Sequence, residues 1–169
     1  QGTTYKAILN KHEILYAEIK DGLYKVDPKT HNYLKPEKDV LDKICFEMFK
    51  KISQFSEKNK VIFCIEANSK IYGTKYLTHT LDAIKLTKKI NNKYFKVNLD
   101  LSTIINNKEN IDFLLKNYLN YFGHAQISSP YLINLLRYKK DIRIFLNKLN
   151  KYKYNKVVSI ETLRRSKNN

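Results

Sequence analysis

From Lys60 onward the sequence alternates short apolar runs with helix-spaced segments, and this alternation limits the fold more than any other feature. KVIFCIE (60–66), YFKVNLD (94–100), YFGHAQIS (121–128) and KVVSIE (156–161) are apolar runs of strand length. Between them, 74–90 carries Leu77, Leu81, Ile84 and Ile90 at helical spacing. Residues 109–119 carry Ile111, Leu114, Leu115 and Tyr118, and 138–149 carry Ile142, Phe145, Leu146 and Leu149. Strand and helix alternating at roughly 30 residues per unit predict an α/β fold with parallel connections. Strands this apolar are expected to be buried on both faces.

Upstream, PEKDVLDKICFEMFKKISQFSEK (36–58) predicts an amphipathic helix with Pro36 near its start. Its apolar stripe is Val40, Ile44, Phe49 and Ile52. EILYAEIKDGLYKVD (13–27) reads as a hairpin turning at Asp21-Gly22, and 28–35 as a loop. The expected organisation is a hairpin and loop over 1–35, an α/β unit over 36–163, and a frayed tail over 164–169.

The formal charge of +16 admits a nucleic-acid partner. However, only four of the 32 basic residues are Arg, the side chain best suited to phosphate and base edges. The lysine excess, with abundant Asn, Ile and Tyr, reads instead as compositional bias, and nucleic acid remains a third reading. There is no apolar run long enough to span a membrane, and QGTTYKAILNKHEI lacks the apolar core of a signal peptide. Cys45 and Cys64 form no CxxC pair and are expected to be reduced core residues in a cytoplasmic protein. A chain that starts with Gln is expected to be a processed product or a fragment of a longer one.

The strand ends carry the chemical signal. The first ends on Glu66, the second on Asp100, the third carries Gln126, and the last ends on Glu161. In a parallel α/β sheet all these ends lie on one face, where ligands bind. Acids also end strands as turn or cap residues, which is the plainer account of any one of them. Three acids at successive ends would repel each other, and a hard divalent cation such as Mg²⁺ or Mn²⁺ is a natural compensation.

Residues 36–163 resemble the C-terminal half of sugar phosphate isomerase/epimerases, the xylose-isomerase-like TIM barrels that include ketose 3-epimerases. The segments that carry the resemblance are IEANSKIYGTKYLTHTLDAIKL, VNLDLSTIINNKEN, GHAQISSPYL and VVSIE. In that family Glu, Asp, His and Glu at four successive strand ends bind one divalent metal, and the gaps here of 34, 26 and 35 residues fit that order. The resemblance implies a metal set of Glu66, Asp100, Gln126 and Glu161, with Mn²⁺ or Mg²⁺ as cofactor. It implies Glu66 and Glu161 as the acid–base pair of an enediolate mechanism on a sugar or sugar phosphate. Asn68, Tyr72 and His124 are the implied substrate contacts, and the Ser69–Thr74 loop an implied cover.

Several positions depart from the family pattern. Gln126 stands where His is usual, Thr103 where many relatives have His, Ser129 where an acid often follows, and Leu132 where some epimerases have Arg. The scattered His12, His31 and His79 argue against the DNA-repair endonucleases of the same superfamily, whose metal cluster uses several histidines. A full barrel takes about 250 residues, so only its last four strands are expected here. An open half would expose two strand edges and an apolar inner face. The expectation is therefore a fragment of a longer isomerase or epimerase. The alternatives are a half-barrel completed by its own copy or another chain, and a non-catalytic remnant that binds a sugar or a partner protein.

Overall fold

The computed structural model describes residues 6–9, 15–19, 22–26, 33–34 and 38–163. The chain divides into two compact units, 1–48 and 49–169. The first holds four antiparallel strands in sequence order: β1 (Lys6–Leu9), β2 (Leu15–Ile19), β3 (Gly22–Val26) and β4 (Tyr33–Leu34). The expected hairpin is β2–β3. Its register pairs Ile19 with Gly22, so Gly22 belongs to a strand rather than to the turn. Part of the expected loop, Tyr33–Leu34, pairs with β3. The expectations for His12, His31, Pro36 and the 164–169 tail lie outside the described residues.

Helix α1 (Lys38–Asn59) leads into the second unit. There β5 (Phe63–Glu66), β6 (Phe95–Asp100), β7 (Phe122–Ile127) and β8 (Val158–Ile160) form one parallel sheet in the order β5-β6-β7-β8. Helices α2 (Thr80–Ile90), α3 (Leu101–Asn107), α4 (Ile111–Tyr118) and α5 (Lys139–Lys151) make the connections. Among the described residues, no helix is long and apolar enough to cross a membrane.

Strand alternation decides what each sheet face carries. Phe95, Val97 and Leu99 of β6 are fully buried on the helix side. There the Phe95 ring meets Phe49 at 5.8 Å and Phe63 at 5.7 Å. Burying side chains of this size stabilises by about 1.5–3 kcal/mol each. The alternate residues, Lys96, Asn98 and Asp100, face the other way. The expected apolar inner face is therefore replaced by a polar one, and these strands are not apolar on both sides. Cys45 and Cys64 are each only half buried, not the core residues expected.

A register shift between Val97 and Asn98 passes over Gly123 and pairs Asn98 with His124 and Asp100 with Gln126. Any larger residue at 123 would crowd this face, because a Cβ there would stand 2.7 Å from both Cys64 Sγ and Lys96 Cβ.

Two helices differ from expectation. Helix α2 starts at Thr80, not at 74, because Leu77 adopts a left-handed φ of 49°. Its buried residues are Thr80, Ala83, Ile84, Leu86 and Thr87, with Leu81 and Ile90 only half buried. Helix α3 lies outside the expected pattern, and it follows β6 without a loop. On α5, Phe145 and Leu149 are buried as expected, while Leu146 is exposed. Asp112 ties α4 to α5 by accepting from Lys148, Lys151 and Tyr152. The Lys148 bond foremost holds its carboxyl down to about 2.

Candidate functional site

The C-terminal strand ends of the parallel sheet bring Glu66, Asn98, His124 and Gln126 into one hydrogen-bonded group. Glu66 pairs with Asn98 across β5–β6, and Asn98 with His124 across β6–β7. The Asn98 amide nitrogen donates to Glu66 Oε2 at 2.5 Å and to Gln126 Oε1 at 2.5 Å. Its carbonyl oxygen lies 2.8 Å from His124 Nδ1. Since that oxygen can only accept, His124 carries a proton on Nδ1. Asn98 is the centre of the site, and the sequence reading does not single it out. The available signal is its place two residues before Asp100, on the same strand face.

Asp100 occupies a different setting. It caps α3, its Oδ2 accepting from Thr103 N at 2.8 Å, and its Oδ1 accepts from Ser128 Oγ. Ser128 Oγ in turn accepts from Ser102 N at 3.1 Å. Thr103 is structural as well: its hydroxyl donates to Ala67 O at 2.8 Å. Ser129 is fully buried, and its hydroxyl donates to Ile133 O at 2.6 Å.

The electrostatics follow from burial. Glu66 is pushed up to about 7, first by desolvation, then by the nearby Asp100 charge and more weakly by Glu161, with the Asn98 bond opposing. Burial also raises Asp100, against the hydrogen bonds from Ser128, Thr103 and Ser102. Glu161 is exposed, and its backbone N–H extends the β7–β8 ladder by donating to Ile127 O at 2.9 Å.

Tyr72 holds the loops together. Its hydroxyl lies 2.8 Å from Ser102 Oγ, and accepts from Asn106 Nδ2 at 3.1 Å and Tyr131 N at 3.1 Å. Its ring meets the Tyr131 ring edge-on at 5.3 Å. Tyr131 and Leu132 are successive left-handed residues, with φ of 55° and 51°, a conformation costing about 1–2 kcal/mol each. Tyr72→Phe is expected to lower stability by about 1 kcal/mol. Faster tryptic cleavage at the exposed Arg137 would report the loosened loop, and unchanged cleavage would show that the loop does not rely on the hydroxyl. Asn68 is exposed, with its backbone N–H on Leu77 O at 3.0 Å. His79 is exposed at the start of α2, away from the group. An apolar groove of about 560 Å³ beside Leu132, lined also by Tyr131, Ile133 and Leu163, lies at the rim rather than over the carboxylates.

No protein-family model and no curated protein matches the chain. Solved structures do. A 3-keto-D-glucoside 4-epimerase from E. coli superposes with a TM-score of 0.63 at 15% identity, over 75% of this chain and 48% of its own. An L-ribulose 3-epimerase gives 0.65 at 11%, over 85% and 46%. A family 2 AP endonuclease from Brucella melitensis gives 0.59 at 21%, over 72% and 48%. The fold is about half of a TIM barrel. The chain spans about half the length of each of these proteins. Since an epimerase and an endonuclease share the fold, it does not choose between their chemistries.

The divalent cation implied by the resemblance does not fit the half-barrel's donors as they are folded. Among the described residues, no three His, Cys, Asp or Glu side chains lie close enough to hold a metal. Glu66 and Gln126 turn their oxygens onto an N–H donor, and both Asp100 oxygens are engaged. The four side chains named from the sequence share one end of the sheet but do not form one ligand set.

Proposed function

We propose that the strand-end face of this half-barrel binds a sugar or sugar derivative and carries the proton-transfer residue of an isomerase or epimerase. The supporting observation is Glu66: a carboxyl at a strand end, half buried, with its proton affinity raised to about 7. A carboxylate of that basicity is matched to proton transfer near neutral pH. In the proposed step, Glu66 takes the proton from the carbon beside the sugar carbonyl. The C–H electron pair forms the new C=C bond, and the carbonyl oxygen takes the negative charge as an enediolate. Return of a proton to the opposite face gives the epimer; return to the former carbonyl carbon, with the neighbouring hydroxyl proton passing to the former carbonyl oxygen, gives the isomer. Glu161 is the proposed second acid. Asn68 at the rim and the Tyr72 loop are the proposed substrate contacts. The rest of the site wall is proposed to come from the barrel strands this half lacks, in the same protein or in a partner.

The solved sugar epimerases that share the fold support a sugar as the ligand class. A second reading, a non-catalytic half-barrel that binds a sugar or a partner protein, is favoured by the exposure of Glu161 and by Asp100 acting as a helix cap. Binding separates these readings from a protein that does not take sugars. Free ketoses and ketose phosphates at millimolar concentration are expected to shift the His124 ring resonances in EDTA-treated protein. Resonances that stay fixed for every sugar tested would overturn the first reading and leave the second only its partner protein.

A further inference from the structure

The distances at Asn98 bear on what holds the site together. Two oxygens, from the strands on either side of β6, converge on one point, and that point is the Asn98 amide nitrogen. A cation bridging the two strand-end oxygens would have to take this same point. An amide and a cation cannot share the position. The –NH₂ group offers two protons in one plane, one for each oxygen, while its carbonyl takes the His124 proton. Three strands are joined through one neutral side chain. Asp100, the fully buried carboxyl here, is satisfied separately by Thr103 and Ser128.

We infer that the Asn98 carboxamide does the bridging that a divalent cation would otherwise do, so that the strand-end site forms and keeps its shape without metal. This goes beyond the sugar reading and does not depend on it.

The test measures melting temperature and Mn²⁺ binding, by electron paramagnetic resonance, for the protein, Asn98→Ala and Asn98→Asp. The unaltered protein is expected to melt within about 1 °C in EDTA and in 1 mM Mn²⁺, because a ligand without affinity for the folded state shifts nothing. Asn98→Ala is expected to melt several degrees lower in EDTA, since Glu66 and Gln126 lose their shared donor. Asn98→Asp adds a carboxylate beside Glu66 and Asp100 and is expected to bind Mn²⁺ at least tenfold more tightly than the unaltered protein. Should that variant not fold in EDTA, Mn²⁺-dependent folding reads out the same gain. Micromolar Mn²⁺ binding by the unaltered protein would overturn the inference, as would an Asn98→Ala variant that melts unchanged. Ketose binding in EDTA is scored separately, so failure of the sugar reading leaves this result standing.

Discussion

Asp100→Ala is expected to lower stability by about 2–4 kcal/mol, and Asp100→Asn by less than about 1 kcal/mol. The alanine variant removes the cap of α3, worth about 1 kcal/mol. It also leaves the buried Ser128 hydroxyl without its acceptor, a further cost of about 1–3 kcal/mol. Asparagine keeps an oxygen for Thr103 N and turns its amide toward Ser128 Oγ, which can accept; the Ser128 proton loses its acceptor as in the alanine variant, and the new bond offsets that loss. It also removes a buried charge that repels Glu66. Urea denaturation of both variants measures the difference. Equal losses would mean that the carboxylate charge, not its hydrogen-bond geometry, is what the fold uses, which would revive the ligand role read from the sequence.

Glu66→Gln is expected to stabilise the protein above neutral pH and to flatten its pH dependence. The Glu66 carboxyl titrates near 7 when folded and near 4.5 when unfolded. Its favourable contribution is therefore fully present below pH 4.5 and is lost as the pH rises through 7. A shift of that size amounts to about 3 kcal/mol in full, and partial solvation of the carboxyl reduces it to about 1–2 kcal/mol. Glutamine keeps the oxygen that receives Asn98 and never ionises. Thermal melts between pH 5 and 8 should show a falling curve for the protein and a flatter one for the variant. Asp100, raised in the same direction, leaves some residual slope. Parallel curves would show that Glu66 ionises as an ordinary surface acid.

Periodicity makes the second unit legible. Four apolar runs become four parallel strands, because hydrophobic spacing reflects the burial that drives them together. Helix α3 is hidden by its length of seven residues and by the absence of a loop before it. The pattern that marks it, Asp100 three residues before Thr103, reads equally as a metal ligand followed by a lost histidine. The start of α2 is hard to place because its first N–H is capped from a distance by Glu109 Oε1, at 3.0 Å from Thr80 N. No local pattern announces such a contact. At the site, strand-end position identifies Glu66 and Gln126, and alternation brings in His124. Asn98 escapes a reading guided by charge, although a neutral amide is the side chain able to donate to two acceptors and accept from a third group.

The most direct test of the proton-transfer claim is solvent exchange. The full-length protein, as its own cell makes it, is incubated with a ketose in D₂O near pH 7, in EDTA and separately in Mn²⁺. Deuterium at the carbon beside the carbonyl is followed by proton NMR. The account predicts deuterium entering that carbon in EDTA, and a rate at least about 100-fold lower in Glu66→Gln. Exchange only with Mn²⁺ would keep the sugar chemistry and overturn the metal-free bridge. Deuterium entering in neither condition, or entering Glu66→Gln at the full rate, would contradict the central claim.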